Sequence, residues 1–476
     1  MASQEARAVI QSSSYQGRNF ESNSAVSKAM ALRHVLLCPT LTVCAISGCQ
    51  GPAPSDSNGG AISKEGLDFV AHTLSETAKR AQKLTPQEQG RLAKSSNAID
   101  QYELGARIID DPKHVLNKAY DSGGFPPQIS SEGAKVIKSN ARSVELAAVG
   151  LTHKLDVAPP ANSKSPESYW SVADMFPHKA EAKQLAKFVC LSGDLAGSEG
   201  NKAAAVQDYA LAFNIGAQFL DQGSTLIDYL VGIAIEAIAR RHYESIAPFL
   251  NSRDLRTAAE TLLQRNSHPR SISDQVQTEI LTSPSVLPND EELKKMTAEE
   301  KREMAEVPAL KKELAEMMLK RKSVFSGPFA ARGPVPRPGP STRKNPMADV
   351  IFLMVPLYDE FWLDSLNSQT NSRLLGLKLA AMAYQIDHHR LPTTLSELFD
   401  GNSKLIPEDP FYPGRLMLAS ANKDTFSIYS RGPDGKDDGG RSIQYKSKLV
   451  RPLADSKGDV VVILRSGRPA FGPRGD

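Results

Sequence analysis

The stretch NSRLLGLKLAAMAYQIDHHRLPTTLSELFD, residues 371–400, decides the fold of the C-terminal part of the chain. Its first two thirds have apolar residues at helical spacing, and one face would carry Leu375, Leu379, Met382 and Ile386. The period stops at Leu391-Pro392, because a proline disfavours helical backbone in the residue before it. The spacing therefore predicts an amphipathic helix that ends here and a short helix that begins near Thr394.

Two apolar runs after this helix predict strands. Leu416 to Leu418 and Phe426 to Tyr429 are separated by a polar turn, Ser420 to Asp424, as in an antiparallel hairpin. The run VVVIL at 460–464 predicts a further strand. A long helix followed by antiparallel strands indicates a small α+β module at the end of the chain.

This layout resembles the periplasmic half of the major pseudopilin of type II secretion. In that family the helix ends in Tyr-x-x-x-His/Asn-Gly-x-Tyr-Pro, and a leucine turn, Asp-Pro-Trp/Phe and a strand ending Tyr-Ser-x-Gly-x-Asp-Gly follow. The matching residues here are Tyr384, His388, Leu391, Pro392, Leu395, Leu398, Pro407, Asp409, Pro410, Phe411, Ile428, Tyr429, Ser430, Gly432, Asp434 and Gly435. The module most resembles the version of this motif found at the ends of lipoprotein-like chains of planctomycete bacteria.

One departure from the family bears on function. A pseudopilin has its membrane-spanning helix at the extreme N-terminus, directly continuous with this module. Here the module follows a long N-terminal part, and the apolar run VIFLMVPL at 350–357 is too short for a span, which takes about 20 residues. The resemblance therefore implies the fold, while assembly into a filament does not follow from it.

The loop Ser430-Arg-Gly-Pro-Asp434-Gly-Lys-Asp437-Asp438-Gly-Gly440 is the candidate metal site. In the family the corresponding loop binds calcium, so the resemblance implies calcium ligands at Asp434, Asp437 and Asp438. Carboxylate and carbonyl oxygens are the ligands that calcium prefers. The alternative is a solvated turn in which the same carboxylates accept hydrogen bonds from backbone amides.

Upstream, the periodicity from about residue 64 to 246 is helical. Ser63 would cap a first helix, Thr85-Pro86 introduces a second over 87–109, and 134–155 predicts another. Residues 178–222 predict two helices broken at 197–200. The stretch STLIDYLVGIAIEAIA (224–239) is apolar on nearly all sides and predicts a central buried helix.

The pattern Gly200, Ala205, Tyr209, Ala212 resembles the second half of a tetratricopeptide repeat. In that motif a glycine turns the chain, small residues let paired helices approach, and an aromatic ring fills the gap. A clean 34-residue repeat does not recur, so a generic helical hairpin in a bundle is the alternative. The predicted fold class is therefore mainly α, a helical bundle or TPR-like domain followed by the pseudopilin-like module.

The N-terminal region indicates a signal peptide. A short basic region at Arg33-His34 precedes an apolar stretch, 35–46, that has the length of a signal-peptide core. It ends in Ile46-Ser47-Gly48-Cys49, which resembles the bacterial lipobox, whose cysteine receives a lipid. The polar extension before Met30 suggests that translation begins at Met30. A buried helix holding a core cysteine is the alternative.

Together these features predict the organisation of the chain. Residues 1–48 would be the signal peptide, 49–62 a lipid tether, 63–322 a helical domain, 323–346 a proline-rich linker and 347–476 the long helix with its module. The charged run within 289–322 mixes acids and bases, which is typical of exposed helices. Cys190 lies in an apolar period and is predicted to be a buried core residue.

Composition and motifs then limit the function. The chain has 57 basic and 54 acidic residues, a net charge of +3 that does not favour nucleic acid. No His-Glu-x-x-His, Cys-x-x-Cys, Gly-x-Ser-x-Gly or phosphate loop occurs. We therefore predict a membrane-anchored extracytoplasmic lipoprotein that scaffolds or binds envelope proteins without catalysis. The alternatives are an accessory of a type II secretion or pilus-like system, and an envelope hydrolase with its site in the helical domain.

Overall fold

A computed structural model describes residues 84–156, 177–265, 322–332, 346–443 and 452–466, apart from gaps of one or two residues, and isolated positions between 298 and 316. For residues 346–359 it describes the backbone alone. The predicted signal peptide, tether and first helix lie outside the described residues, as do most of the charged run and most of the linker.

The described part is mainly helical, with a small antiparallel sheet region near the C-terminus, which confirms the coarse fold class. The α-helices are α1 (Pro86–Ala93), α2 (Ala98–Arg107), α3 (Asn117–Ser122), α4 (Ser131–Ser139), α5 (Ala141–Leu151), α6 (Pro177–Ser198), α7 (Lys202–Gln222), α8 (Leu226–Ile246), α9 (Ser252–Arg265), α10 (Lys322–Phe325) and α11 (Pro346–His388). The strands are β1 (Glu408–Asp409), β2 (Tyr412–Leu416), β3 (Leu418–Ala421), β4 (Thr425–Ser430) and β5 (Val460–Arg465).

Two helices predicted as continuous are each broken in two. The entry at Thr85 is confirmed, since its hydroxyl caps the Glu88 amide and the Glu88 carboxylate accepts from the Thr85 N–H. The predicted helix 87–109 nevertheless ends after α1, and Asn97 starts α2 by accepting the Ile99 N–H. Polar residues that cap amides compete with helix continuation, which explains the break.

The second break lies at Asn140, between α4 and α5. Its side chain donates to the Val136 carbonyl at 2.8 Å and accepts the Asp110 N–H at 2.9 Å. The helical segment predicted over 134–155 also ends earlier, because α5 stops at Leu151. In contrast, the break predicted at 197–200 is confirmed, and Gly200 has the positive φ of +93° that the turn needs.

The helices contact one another in two linked series. In one, α2 packs against α6, α6 against α8 and α8 against α11; in the other, α7 packs against α5 and α9. Contacts of α6 with α7, α7 with α8 and α9 with α11 join the two series. The predicted buried helix is α8, in which Asp228 and Glu236 are 0% and 1% exposed. Its neighbour α7 is more central, because it contacts α5, α6, α8 and α9. One apolar core runs from α2 through these helices to the sheet.

The long helix α11 differs from the amphipathic helix predicted from the sequence. Leu375, Leu379 and Met382 are buried as expected, but Ile386 is 46% exposed. Every residue from 372 to 384 is buried, including the polar ones. The cause is that α11 packs against α8 and α9 of the body and also against β4 and β5.

The module contains two small sheets. β1 pairs with β2, and β3, β4 and β5 form a three-stranded antiparallel sheet in that order. The strand predicted over 416–418 is a junction between β2 and β3 instead, where the Met417 N–H donates to the Pro407 carbonyl at 2.9 Å. The strands predicted at 426–429 and 460–464 are confirmed as β4 and β5.

Part of the proline-rich segment packs onto the module. The buried ring of Phe329 lies 4.8 Å from that of Trp362 on α11 and 5.9 Å from that of Phe411, measured between centroids. The Phe329 N–H also donates to the Phe411 carbonyl at 3.1 Å. Among the described residues, no helix combines the length and apolar character that a bilayer span requires.

Candidate functional site

The predicted calcium ligands lie in one turn-rich loop after β4, and two of their carboxylates accept hydrogen bonds from the loop itself. Asp434 accepts the Lys436 N–H at 3.2 Å. Asp437 accepts the Gly439 N–H at 3.0 Å. Asp438 is exposed. Within the described part of the chain, no group of three or more His, Cys, Asp or Glu side chains is arranged to hold a metal ion.

A fourth acid, which the sequence analysis did not single out, reaches this loop from the start of β5. Asp459 is 0% exposed, and its carboxylate accepts the Gly440 N–H at 2.7 Å and the Asp438 N–H at 3.5 Å. Burial raises the pKa of Asp459, and the neighbouring acids Asp437 and Asp438 raise it further. The only sequence signal was a Gly-Asp pair directly before an apolar strand.

Asp409, from the Asp-Pro-Phe motif, joins β1 to the end of β4. Its fully buried carboxylate accepts the N–H groups of Phe411 at 3.1 Å and Arg431 at 2.8 Å, and the Ser430 hydroxyl at 2.7 Å. Burial raises the pKa of Asp409, although these hydrogen bonds oppose the shift. The motif residue therefore has a structural role, because it holds neighbouring segments of the module together.

Glu397, which no sequence motif had indicated, holds the end of α11 in place. Its carboxylate accepts the hydroxyls of Thr393 and Tyr384 and the Thr393 N–H, and it lies 2.8 Å from the Arg390 guanidinium. The hydrogen bonds from Thr393 and Tyr384 lower the pKa of Glu397 to about 2. The match at Tyr384 thus marks the contact between the helix end and the following turn.

The helical body contains its own buried polar cluster, between α6, α7 and α8. Asp194 Oδ1 accepts the Tyr209 hydroxyl at 2.6 Å and lies 2.9 Å from Nδ1 of His242. Asp194 Oδ2 is buried and has no hydrogen-bond partner among the described residues. Cys190, one turn earlier on α6, is fully buried as predicted, and burial raises the pKa of its thiol.

An aspartate that orients a histidine is half of a general-base arrangement. A nucleophile would have to lie against the other ring nitrogen of the histidine. Among the described residues, no serine, threonine or cysteine side chain forms a hydrogen bond with His242. Within that part of the chain, the pair is therefore half of such an arrangement.

A polar seam joins α8 to α11. The Arg240 guanidinium donates to the hydroxyls of Ser368 at 3.0 Å and Ser372 at 2.8 Å, and it lies 3.5 Å from Glu236. Burial lowers the pKa of Arg240. Because Ser368 and Ser372 lie more than 120 residues from Arg240, no local pattern could have indicated the seam.

The predicted lipidation site, Cys49, lies outside the described residues, so it stays a prediction. The chain was also compared with known proteins. No protein-family model matches it, and neither a curated protein nor a solved structure shows a significant similarity to it.

Proposed function

We propose that the protein is an extracytoplasmic lipoprotein that scaffolds or binds other envelope proteins and carries out no catalysis. The observation that carries this proposal is the position of α11. Its residues 372–384 are all buried, and they belong to the same apolar core as the helical body and the sheet. The body and the module therefore share a core, which suits a stable binding surface.

The same observation weighs against a filament subunit. A Cβ atom at Gly376 would lie 2.8 Å from the Leu263 side chain and 3.3 Å from the Ala259 carbonyl, so α9 approaches α11 without a gap. The same helix also contacts β4 and β5. The buried part of this helix has no free face for a second subunit, which supports a scaffold over an assembly role.

We further propose that the helical body is built like a TPR array. A Cβ atom at Gly193 would lie 2.6 Å from the Tyr209 ring and 3.1 Å from the Ala205 carbonyl. The Tyr209 ring therefore fills the gap between α6 and α7, which is the role of the aromatic residue in the repeat motif that Gly200, Ala205, Tyr209 and Ala212 resemble. The contacts of α7 with both α6 and α8 support this interpretation, since each helix of such an array packs against its neighbours.

The anchor can be tested directly in cells. We expect the mature chain to begin at Cys49, to carry acyl groups and to sediment with membranes, whereas a Cys49→Ser variant should lose the lipid. Mass spectrometry of the N-terminal peptide is the measurement. A peptide from residues 1–29 would contradict the proposed start, and an unmodified Cys49 would contradict the anchor.

Scaffolding requires a separate test. Cross-linking in intact cells, read by mass spectrometry, should return the same envelope partner for independently placed cross-linkers on the module, for example at exposed Ile463 and Leu416. Purified major pseudopilin should form no stable complex with the chain. A stable complex with pseudopilin would favour the secretion-accessory alternative instead.

An envelope hydrolase is the second candidate, and the Asp194–His242 pair is the observation that favours it. We expect His242→Gln to leave any acyl-ester or glycan hydrolysis by the purified chain unchanged. Circular dichroism on the variant provides the control for folding. Hydrolysis that is lost in His242→Gln with the fold intact would favour the enzyme.

A further inference from the structure

Backbone amides of the loop 434–440, rather than oxygen atoms, point at the buried side chain of Asp459. The Gly440 N–H lies 2.7 Å from one carboxylate oxygen of Asp459, and the Asp438 N–H lies 3.5 Å from the other. The backbone of Asp459 is fixed too, because its N–H donates to the Arg441 carbonyl at 2.8 Å and its carbonyl accepts from Ile443 at 3.1 Å.

This arrangement has the chemistry of an anion site. Backbone N–H groups that point at one carboxylate stabilise its negative charge, and they repel a cation. A calcium ion needs six to eight oxygen ligands around it. The carboxylates of Asp434 and Asp437 already accept hydrogen bonds from Lys436 and Gly439 within their own turns.

We infer that the buried carboxylate of Asp459 closes this loop from within, so that the module folds without calcium. The donors that organise the loop are backbone amides, and Asp459 is the anion that they bind. Asp459 directly precedes β5, so its hydrogen bonds to the loop hold the loop against the three-stranded sheet.

The negative charge around Asp459 would favour a bound cation. Asp437 and Asp438 are close enough to raise its pKa, and a bound cation would relieve that crowding. Both of these side chains are exposed, however, so water screens their charges. Tyr429 also donates its hydroxyl to Asp437 at 3.3 Å. The local charge is therefore solvated without an ion.

Thermal melting and calorimetry on the full chain test the inference. The chain would carry Cys49→Ser, so that it can be purified without detergent. We expect millimolar calcium, compared with a chelator, to leave the melting midpoint unchanged, and a calcium titration to give no binding heat. Asp459→Asn should lower the midpoint by several degrees, because an amide replaces one acceptor oxygen with a donor. Asp438→Asn, at an exposed neighbour, is the matched control and should melt like the parent.

A saturable calcium heat that disappears in Asp437→Asn, together with a higher midpoint in calcium, would overturn the inference in favour of the calcium site. An Asp459→Asn variant that melts like the parent would also overturn it. If Asp459→Asn does not fold, this is the extreme of the expected loss, and the titration of the parent chain still decides about calcium.

Discussion

The helical body and the C-terminal module bury acidic side chains in different ways. In the body the partners are side chains on other helices: Asp228 lies 2.9 Å from the Lys179 ammonium, and Asp194 lies 2.9 Å from His242. In the module the main partners are backbone amides, which bond to Asp409 and Asp459. In the body a buried acid is compensated by a second side chain, whereas in the module it is compensated mainly by backbone amides.

This difference determines what each region tolerates. Removing one member of a buried ion pair leaves a charge without compensation, and removing both can be nearly neutral. A backbone amide stays in place under any substitution except proline, so a second side-chain change does not rescue an acid that binds amides. The body should therefore accept coupled replacements, whereas the module should not.

The largest expected effect is in the body, at the pair between α6 and α8. Lys179→Met should lower the free energy of unfolding by about 3–5 kcal/mol, because the fully buried Asp228 carboxylate loses its ammonium. The double variant Lys179→Met/Asp228→Asn should recover most of that loss. Urea denaturation measures both, and a single variant that unfolds like the parent would break the comparison.

In the module we expect Asp409→Asn to cost about 2–3 kcal/mol, because the amide cannot accept from Phe411, Arg431 and Ser430 together. Asp424→Asn, at an exposed turn between β3 and β4, should change stability by under about 0.5 kcal/mol. Denaturation of both variants gives the difference. Rescue of Asp409→Asn by a second side-chain substitution would contradict the contrast with the body.

The same contrast explains what could be predicted from the sequence. Asp409 bonds to residues 411, 430 and 431, and Glu397 bonds to residues 384, 390 and 393. These bonds span at most 22 residues within the module, where the order of the motif residues is visible along the chain. The end of α11 was predicted from the stop at Leu391-Pro392, and strands β4 and β5 were predicted correctly from their own apolar runs.

The partners in the body are far apart in sequence, and they were missed for that reason. Asp194 and His242 come from different helices, and Arg240 reaches Ser368 across more than 120 residues. The burial of α11 on both sides was missed too, because its periodicity reports one apolar face and gives no information about a second layer of contacts. The helix breaks near Asn97 and Asn140 depend on local capping that competes with a good helical period.

A smaller effect is expected where two helices of the body approach most closely. Gly193→Ala should cost about 1–3 kcal/mol, because the new methyl group would lie 2.6 Å from the Tyr209 ring. Gly90→Ala in α1 is the matched control, since nothing lies within 4 Å of its Cβ position. The control should be neutral or slightly stabilising. Equal melting of Gly193→Ala and the parent would contradict the proposed TPR-like packing.

The smallest effect concerns Asp208 on α7, which forms a hydrogen bond with the Ser192 side chain on α6. Desolvation raises its pKa from 3.8 to about 6, and the Ser192 bond only partly opposes that shift. Because the folded state favours the protonated carboxyl, Asp208 stabilises the fold fully below pH about 4, and this contribution is lost as the pH rises through about 6.

Asp208→Asn should therefore stabilise the chain by roughly 1–2 kcal/mol at pH 7, and this advantage should vanish at pH 4, where the wild-type carboxyl is protonated. Thermal melting of both proteins across this pH range is the measurement. A variant that is less stable at pH 7 would mean that the ionised carboxylate is compensated. In that case the body would contain an acid whose ionised form is stabilised by something other than a paired side chain. The contrast between the body and the module would then not hold at this position.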